Sequence, residues 1–109
     1  VNFAEYQQKA RKFAQYKDEI YPFLGLAEET GEFLGVIAKL KRGDDLVARY
    51  GSKEAAREAA LKEAGDILWQ LSQCLEELDM SLQDAAELNL KKLEDRLQRG
   101  VIKGQGDNR

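Results

Sequence analysis

A single proline, Pro22, interrupts a chain of 109 residues that is otherwise rich in alanine, leucine, glutamate, lysine and glutamine. Such a chain has few obstacles to helix and little to favour strand. Tyr21-Pro22 marks one break, because the residue before a proline is driven out of the α region. The remaining punctuation is glycine and capping residues. Asn2 can cap a first helix carrying Phe3, Tyr6, Ala10 and Phe13. A second helix starts near Pro22 or Phe23, a position proline suits, and stops near Gly43. Its spacing predicts an inner stripe of Leu24, Ala27, Gly31, Leu34 and Ala38. The segment Gly43–Gly51 reads as a loop. Ser52 caps a long third helix with Ala60, Ala64, Ile67, Leu71, Cys74 and Leu78 on one stripe and Leu61, Leu68 and Leu75 beside it. Ser81, with Asp84 three residues on, caps a fourth helix that ends at Gly100. The expectation is an all-α fold, a four-helix bundle with a short glycine-rich C-terminal tail, in a single domain spanning 1–109.

Composition excludes much. The chain has no histidine and one cysteine, Cys74. Catalytic triads, HExxH zinc sites and multi-cysteine zinc sites therefore cannot come from this chain alone. Cys74 lies on an apolar stripe and reads as a small buried hydrophobe. No apolar run approaches the roughly 20 residues of a membrane span. The opening Val1–Glu5 lacks a basic region followed by an apolar stretch, so the expectation is a cytoplasmic protein. The net charge of −3 is unevenly divided. Residues 91–109 carry +3 and the first ninety carry −6. An acidic body argues against duplex nucleic acid as partner. It suits a ligand with both a cation and a phosphate, although basic residues also favour the last turns of a helix in their own right.

The acidic residues are paired. Glu28, Glu29 and Glu32 stand in AEETGE of the second helix, and Glu63 and Asp66 in KEAGD of the third. Residues three or four apart share a helical face, so each helix presents a close carboxylate pair. If the helices are antiparallel neighbours, four carboxylates converge. Two carboxylates about 5.5 Å apart repel by roughly 3 kcal/mol at an effective dielectric near 20. Either their pKa values rise or a cation sits among them, and oxygen-only ligands suit Mg²⁺ or Mn²⁺. A solvated acidic face is the competing reading. Asn89 falls on an apolar stripe of the fourth helix, with Lys92 and Arg96 following at i+3 and i+7. Solvent exposure is the expectation for these two cations taken alone.

With these residues placed, the sequence resembles the MazG-like all-α nucleoside triphosphate pyrophosphohydrolases. The resemblance is carried by GLAEETGE (25–32), KEAGDILWQL (62–71), NLKKLEDRLQRGV (89–101) and the ending GDNR (106–109), in the family's order. Glu28, Glu29, Glu32, Glu63 and Asp66 fill the family signature EExxE followed by ExxD. The resemblance implies Mg²⁺-dependent cleavage between the α and β phosphates, with Mn²⁺ as a substitute, giving a nucleoside monophosphate and pyrophosphate. It implies that Glu29, Glu32, Glu63 and Asp66 hold metal and that Glu28 positions or activates water. Asn89, Lys92 (or Lys91 in its place) and Arg96 would contact the triphosphate, with Lys103 and Arg109 closing over it. A homodimer or a dimer of dimers is also implied. The stretch between Glu32 and Glu63 is longer than the signature's, and the extra residues are expected around Gly43–Ser52 and in the first turn of the third helix. Phe13, Tyr16, Tyr21 and Trp69 are each able to stack on a base or to serve as packing. A non-catalytic helical nucleotide-sensing or dimerisation module is the alternative function.

Overall fold

The computed structural model describes residues 1–43 and 45–100. Five helices follow one another: α1 (Phe3–Arg11), α2 (Tyr21–Arg42), α3 (Leu46–Tyr50), α4 (Lys53–Glu77) and α5 (Leu82–Arg99), with no strand among the described residues. The fold is all-α as expected, with one helix more than the sequence pattern suggests. The added helix, α3, occupies the segment read as a loop. Asp45 caps it by accepting from the Ala48 N–H at 3.1 Å, and Gly51 closes it at φ 96°. A one-turn helix has too few residues to show a hydrophobic period, so only its cap marks it. The glycine-rich tail, with Lys103 and Arg109, lies outside the described residues.

The capping residues act as their chemistry dictates. Asn2 Oδ1 accepts from the Glu5 N–H at 2.8 Å while its amide donates to Glu5 Oε1, a reciprocal cap. Ser52 and Ser81 each accept at 3.0 Å from the third N–H of their helices. Gly43, at φ 74°, ends α2 in the left-handed region that glycine adopts freely. Asp79 takes φ 56° in the turn between α4 and α5, where Met80 N–H donates to Leu75 O at 2.8 Å.

The principal packed pair is α2 against α4; α1 lies against α4 and α5, and α3 against α4. The face that α2 turns inward is not the predicted one. Pro22, Gly25 and Val36 are buried and Glu29 half-buried, whereas Leu24 is 65% and Leu34 57% exposed. The seam runs Pro22, Gly25, Glu29, Glu32, Val36 on α2 and Ala56, Glu63, Asp66, Gln70, Gln73, Glu77 on α4. These are alternating steps of three and four (seven between Ala56 and Glu63), the spacing of a helix-pair seam. Glycine and polar residues occupy its middle, so an apolar stripe is the wrong guide to it. In α1, Ala10 is buried and Tyr6 half-buried, but Phe3 is largely exposed and Phe13 falls beyond the helix. Cys74 is buried as expected.

The link between α1 and the α4–α5 turn is one buried side chain. Gln7 Nε2 donates to Glu76 Oε1 at 3.1 Å and to Met80 O at 3.0 Å. Its Oε1 accepts the Leu82 N–H at 2.7 Å, supplying a partner to a donor of the first turn of α5.

Candidate functional site

Midway along the α2–α4 seam, the carboxylates of Glu29, Glu32 and Glu63 converge, one oxygen of each lying within 4.8 Å of the others. Two features of the helices make this so. Glu29 and Glu32 are one turn apart on α2, and Glu63 faces them from α4. Between Glu32 and Glu63 the chain completes α2, forms α3 and runs through the first turns of α4. Asp66 is exposed and outside this tightest triple, yet close enough for its charge to act on both Glu29 and Glu63.

The electrostatics follow from that crowding. Burial and then the charges of Glu32, Asp66, Glu63 and Glu28 push the Glu29 carboxyl up to about 7. Glu63 is also raised, by burial first and then by Glu32 and Asp66. Glu29 Oε2 and Glu63 Oε2 are buried and meet no hydrogen-bond donor. Buried carboxylate oxygens without donors are costly unless a cation supplies the missing charge. All the ligands are oxygens, which suits a hard divalent ion. The residues present therefore fit a metal of the Mg²⁺ class.

The other predicted residues are placed differently. Glu28 is exposed on α2 beside the cluster. Asn89 is exposed, contrary to its expected place on a buried stripe; with Lys91 and Lys92 it lines a surface hollow of about 630 Å³ along α5. Lys92 is half-buried and Arg96 only 4% exposed, so neither has the exposure expected of it. The face of α5 that turns inward carries Leu82 and Arg96 rather than Asn89. Its principal contact is with α1, while the acidic cluster stands on α2 and α4.

The aromatic candidates separate. Trp69 Nε1 donates to Ala10 O at 3.1 Å and serves packing. Tyr16 donates to Glu77 Oε2 at 2.7 Å, receives Arg11 at 2.9 Å and stacks on Tyr21 with centroids 5.4 Å apart. Phe13 is 65% exposed, with the Lys12 ammonium 5.6 Å from its ring centre. Sequence reasoning missed Gln70 and Gln73, both buried in the seam. They continue the step of Glu63 and Asp66 along α4, but their residue type alone does not distinguish them from solvated side chains. Tyr6 was also missed as a neighbour of the cluster; burial and then the Asp66 charge raise its hydroxyl.

An all-α chain that gathers glutamates from two consecutive long helices into an oxygen-only centre defines a class of helical acidic-centre proteins. The model of the MazG nucleotide pyrophosphohydrolase domain matches residues 22–101, and the chain belongs to that family. It is also similar to the Gene 37 protein of Mycobacterium phage L5, 37% identical over 89 residues that cover 82% of this chain and 75% of the phage protein. No solved structure matches. The family acts on nucleotides and is generally metal-dependent, which accords with the acidic cluster. Among the described residues no helix is long and apolar enough to cross a membrane.

Proposed function

We propose that this chain, a single domain over 1–109, hydrolyses nucleoside or deoxynucleoside triphosphates at the α–β phosphoanhydride in a Mg²⁺-dependent reaction. The products are a nucleoside monophosphate and pyrophosphate. The observation that carries this reading is the convergence of Glu29, Glu32 and Glu63 within 4.8 Å, with two buried oxygens lacking donors.

Glu29, Glu32, Glu63 and Asp66 hold the metal, and Mn²⁺ can substitute. Bound Mg²⁺ supplies positive charge that neutralises polyphosphate and lowers the pKa of water. Glu28, exposed beside the cluster, positions or activates the water. Water adds to phosphorus at the anhydride and gives up its proton, the bridging P–O bond breaks, and pyrophosphate leaves. Asn89, Lys92 or Lys91, Arg96, Lys103 and Arg109 contact the phosphates. Phe13 is the aromatic most open to stacking on a base, since Tyr16 and Trp69 are engaged elsewhere. The protein works as a homodimer or dimer of dimers in the cytoplasm.

The test is incubation with a panel of nucleoside triphosphates and Mg²⁺, with products separated chromatographically. Monophosphate and pyrophosphate are expected. Glu63→Gln and Asp66→Asn should lower turnover about 100-fold or more while the protein stays folded. Release of orthophosphate and a diphosphate would refute the reaction, and undiminished turnover by either variant would refute the site. Tight Mg²⁺-dependent nucleotide binding without turnover would instead indicate a sensing module.

A further inference from the structure

One buried polar group near the acidic cluster has no partner. Gln70 is 5% exposed, and its Oε1 is buried with no donor in reach. A carboxamide oxygen in that state forfeits the hydrogen bond it would make in water, a cost the fold does not offset locally. The position is specific. Gln70 follows Asp66 by four residues and Glu63 by seven on the same face of α4, about 6 Å and about 10 Å along the axis. Opposite it stands Gly25, four residues before Glu29 on α2. A Cβ on Gly25 would lie 2.5 Å from Gln70 Nε2 and 2.6 Å from Oε1, so the absence of a side chain there is what lets the carboxamide lie in the seam.

We infer that Gln70, seated on Gly25, hydrogen-bonds a sugar hydroxyl of the nucleotide and sets the protein's discrimination between sugars. The inference rests on the nucleotide reading proposed above. Phosphates drawn to a metal held by Glu29, Glu32, Glu63 and Asp66 would fix where the remainder of the molecule begins. The sugar follows the α-phosphate by one ester oxygen and one methylene, a reach comparable to the single helical turn that separates Gln70 from Asp66. There an unpaired acceptor requires an O–H donor, which a sugar hydroxyl supplies and a hydrocarbon does not. Gly25 seats the carboxamide at this point of the seam, where any side chain opposite would displace it.

Both the 2′- and the 3′-hydroxyl could be the donor, and the arms of the experiment separate them. Values of kcat/KM are measured with Mg²⁺ and the ribo, 2′-deoxy, 3′-deoxy and 2′,3′-dideoxy triphosphates of one accepted base. Removing the recognised hydroxyl should lower kcat/KM roughly 10- to 100-fold in the wild-type protein. In Gln70→Met this ratio should collapse towards one. Gly25→Ala, which displaces the carboxamide without removing it, should narrow the ratio in the same way. Thermal unfolding supplies the readout that separates recognition from packing. Because Gln70 Oε1 has no partner, Gln70→Met should unfold no earlier than the wild type. Equal kcat/KM for all four sugars in the wild type, or an unchanged ratio in Gln70→Met, would overturn the inference while leaving the pyrophosphohydrolase reading intact. Failure of the wild type to hydrolyse any triphosphate would instead refute that reading, and the inference with it.

Discussion

Glu29 is the residue whose chemistry is most altered by its surroundings, held at about 7 against an ordinary 4.5. A carboxyl raised in the folded state keeps its proton where the unfolded chain has lost it. Between pH 4.5 and 7 the native protein therefore binds more protons, and stability falls as pH rises through that window. The metal-free protein should show this decline in thermal melts made with EDTA, and Glu29→Gln should flatten it. Added Mg²⁺ should raise the melting temperature most at the upper end of the window, where the cluster is ionised. Glu63→Gln should lower turnover about 100-fold or more, because several kcal/mol of charge stabilisation depend on the metal it helps hold. The same substitution should raise the melting temperature of the metal-free protein by relieving the repulsion. The acidic pairs were legible in the sequence as pairs, since one-turn spacing needs no tertiary knowledge; that Glu29, Glu32 and Glu63 meet across two helices is visible only in the fold. Gln70 was not, because a lone glutamine on a charged helix resembles any solvated side chain until the opposite helix is known to present Gly25.

Helix boundaries were legible for the same local reason. Asn2, Ser52, Ser81, Gly43 and Gly100 each act within one turn of themselves. Faces were not. Leu24, Ala27, Leu34 and Ala38 form an apolar stripe on α2, and the usual driving force would turn it inward. The seam instead takes Gly25, Glu29 and Val36, so the stripe faces out. Orientation of α1 depends on Gln7, whose three hydrogen bonds span α4, the turn and α5. Gln7→Leu keeps the volume but strands Glu76, Met80 O and the Leu82 N–H, and should cost about 2–4 kcal/mol in urea unfolding. Removing the Arg11 side chain should cost about 1–3 kcal/mol in the same assay, because the fully buried Gln73 Oε1 loses its donor while the exposed ion pair to Glu77 contributes little.

Across the whole molecule, a hollow of about 600 Å³ opens between α2 and α4, with an apolar lining that includes Phe33, Ile37, Leu40, Ala60, Leu61 and Ala64. An open apolar surface of this kind favours self-association, in keeping with the proposed homo-oligomer. Light scattering should give a mass of at least two chains, and Leu61→Glu should shift it towards one. The order of folding is a consequence of the Gln7 contacts. Gln7 meets Leu82 across 75 residues of sequence, a separation whose closure is entropically expensive until the intervening chain is already compact. The α2–α4 pair is joined across only about ten residues, 43–52, so its closure costs less. The first helix should therefore dock last, and native-state hydrogen exchange should find its amides opening before those of α2 and α4.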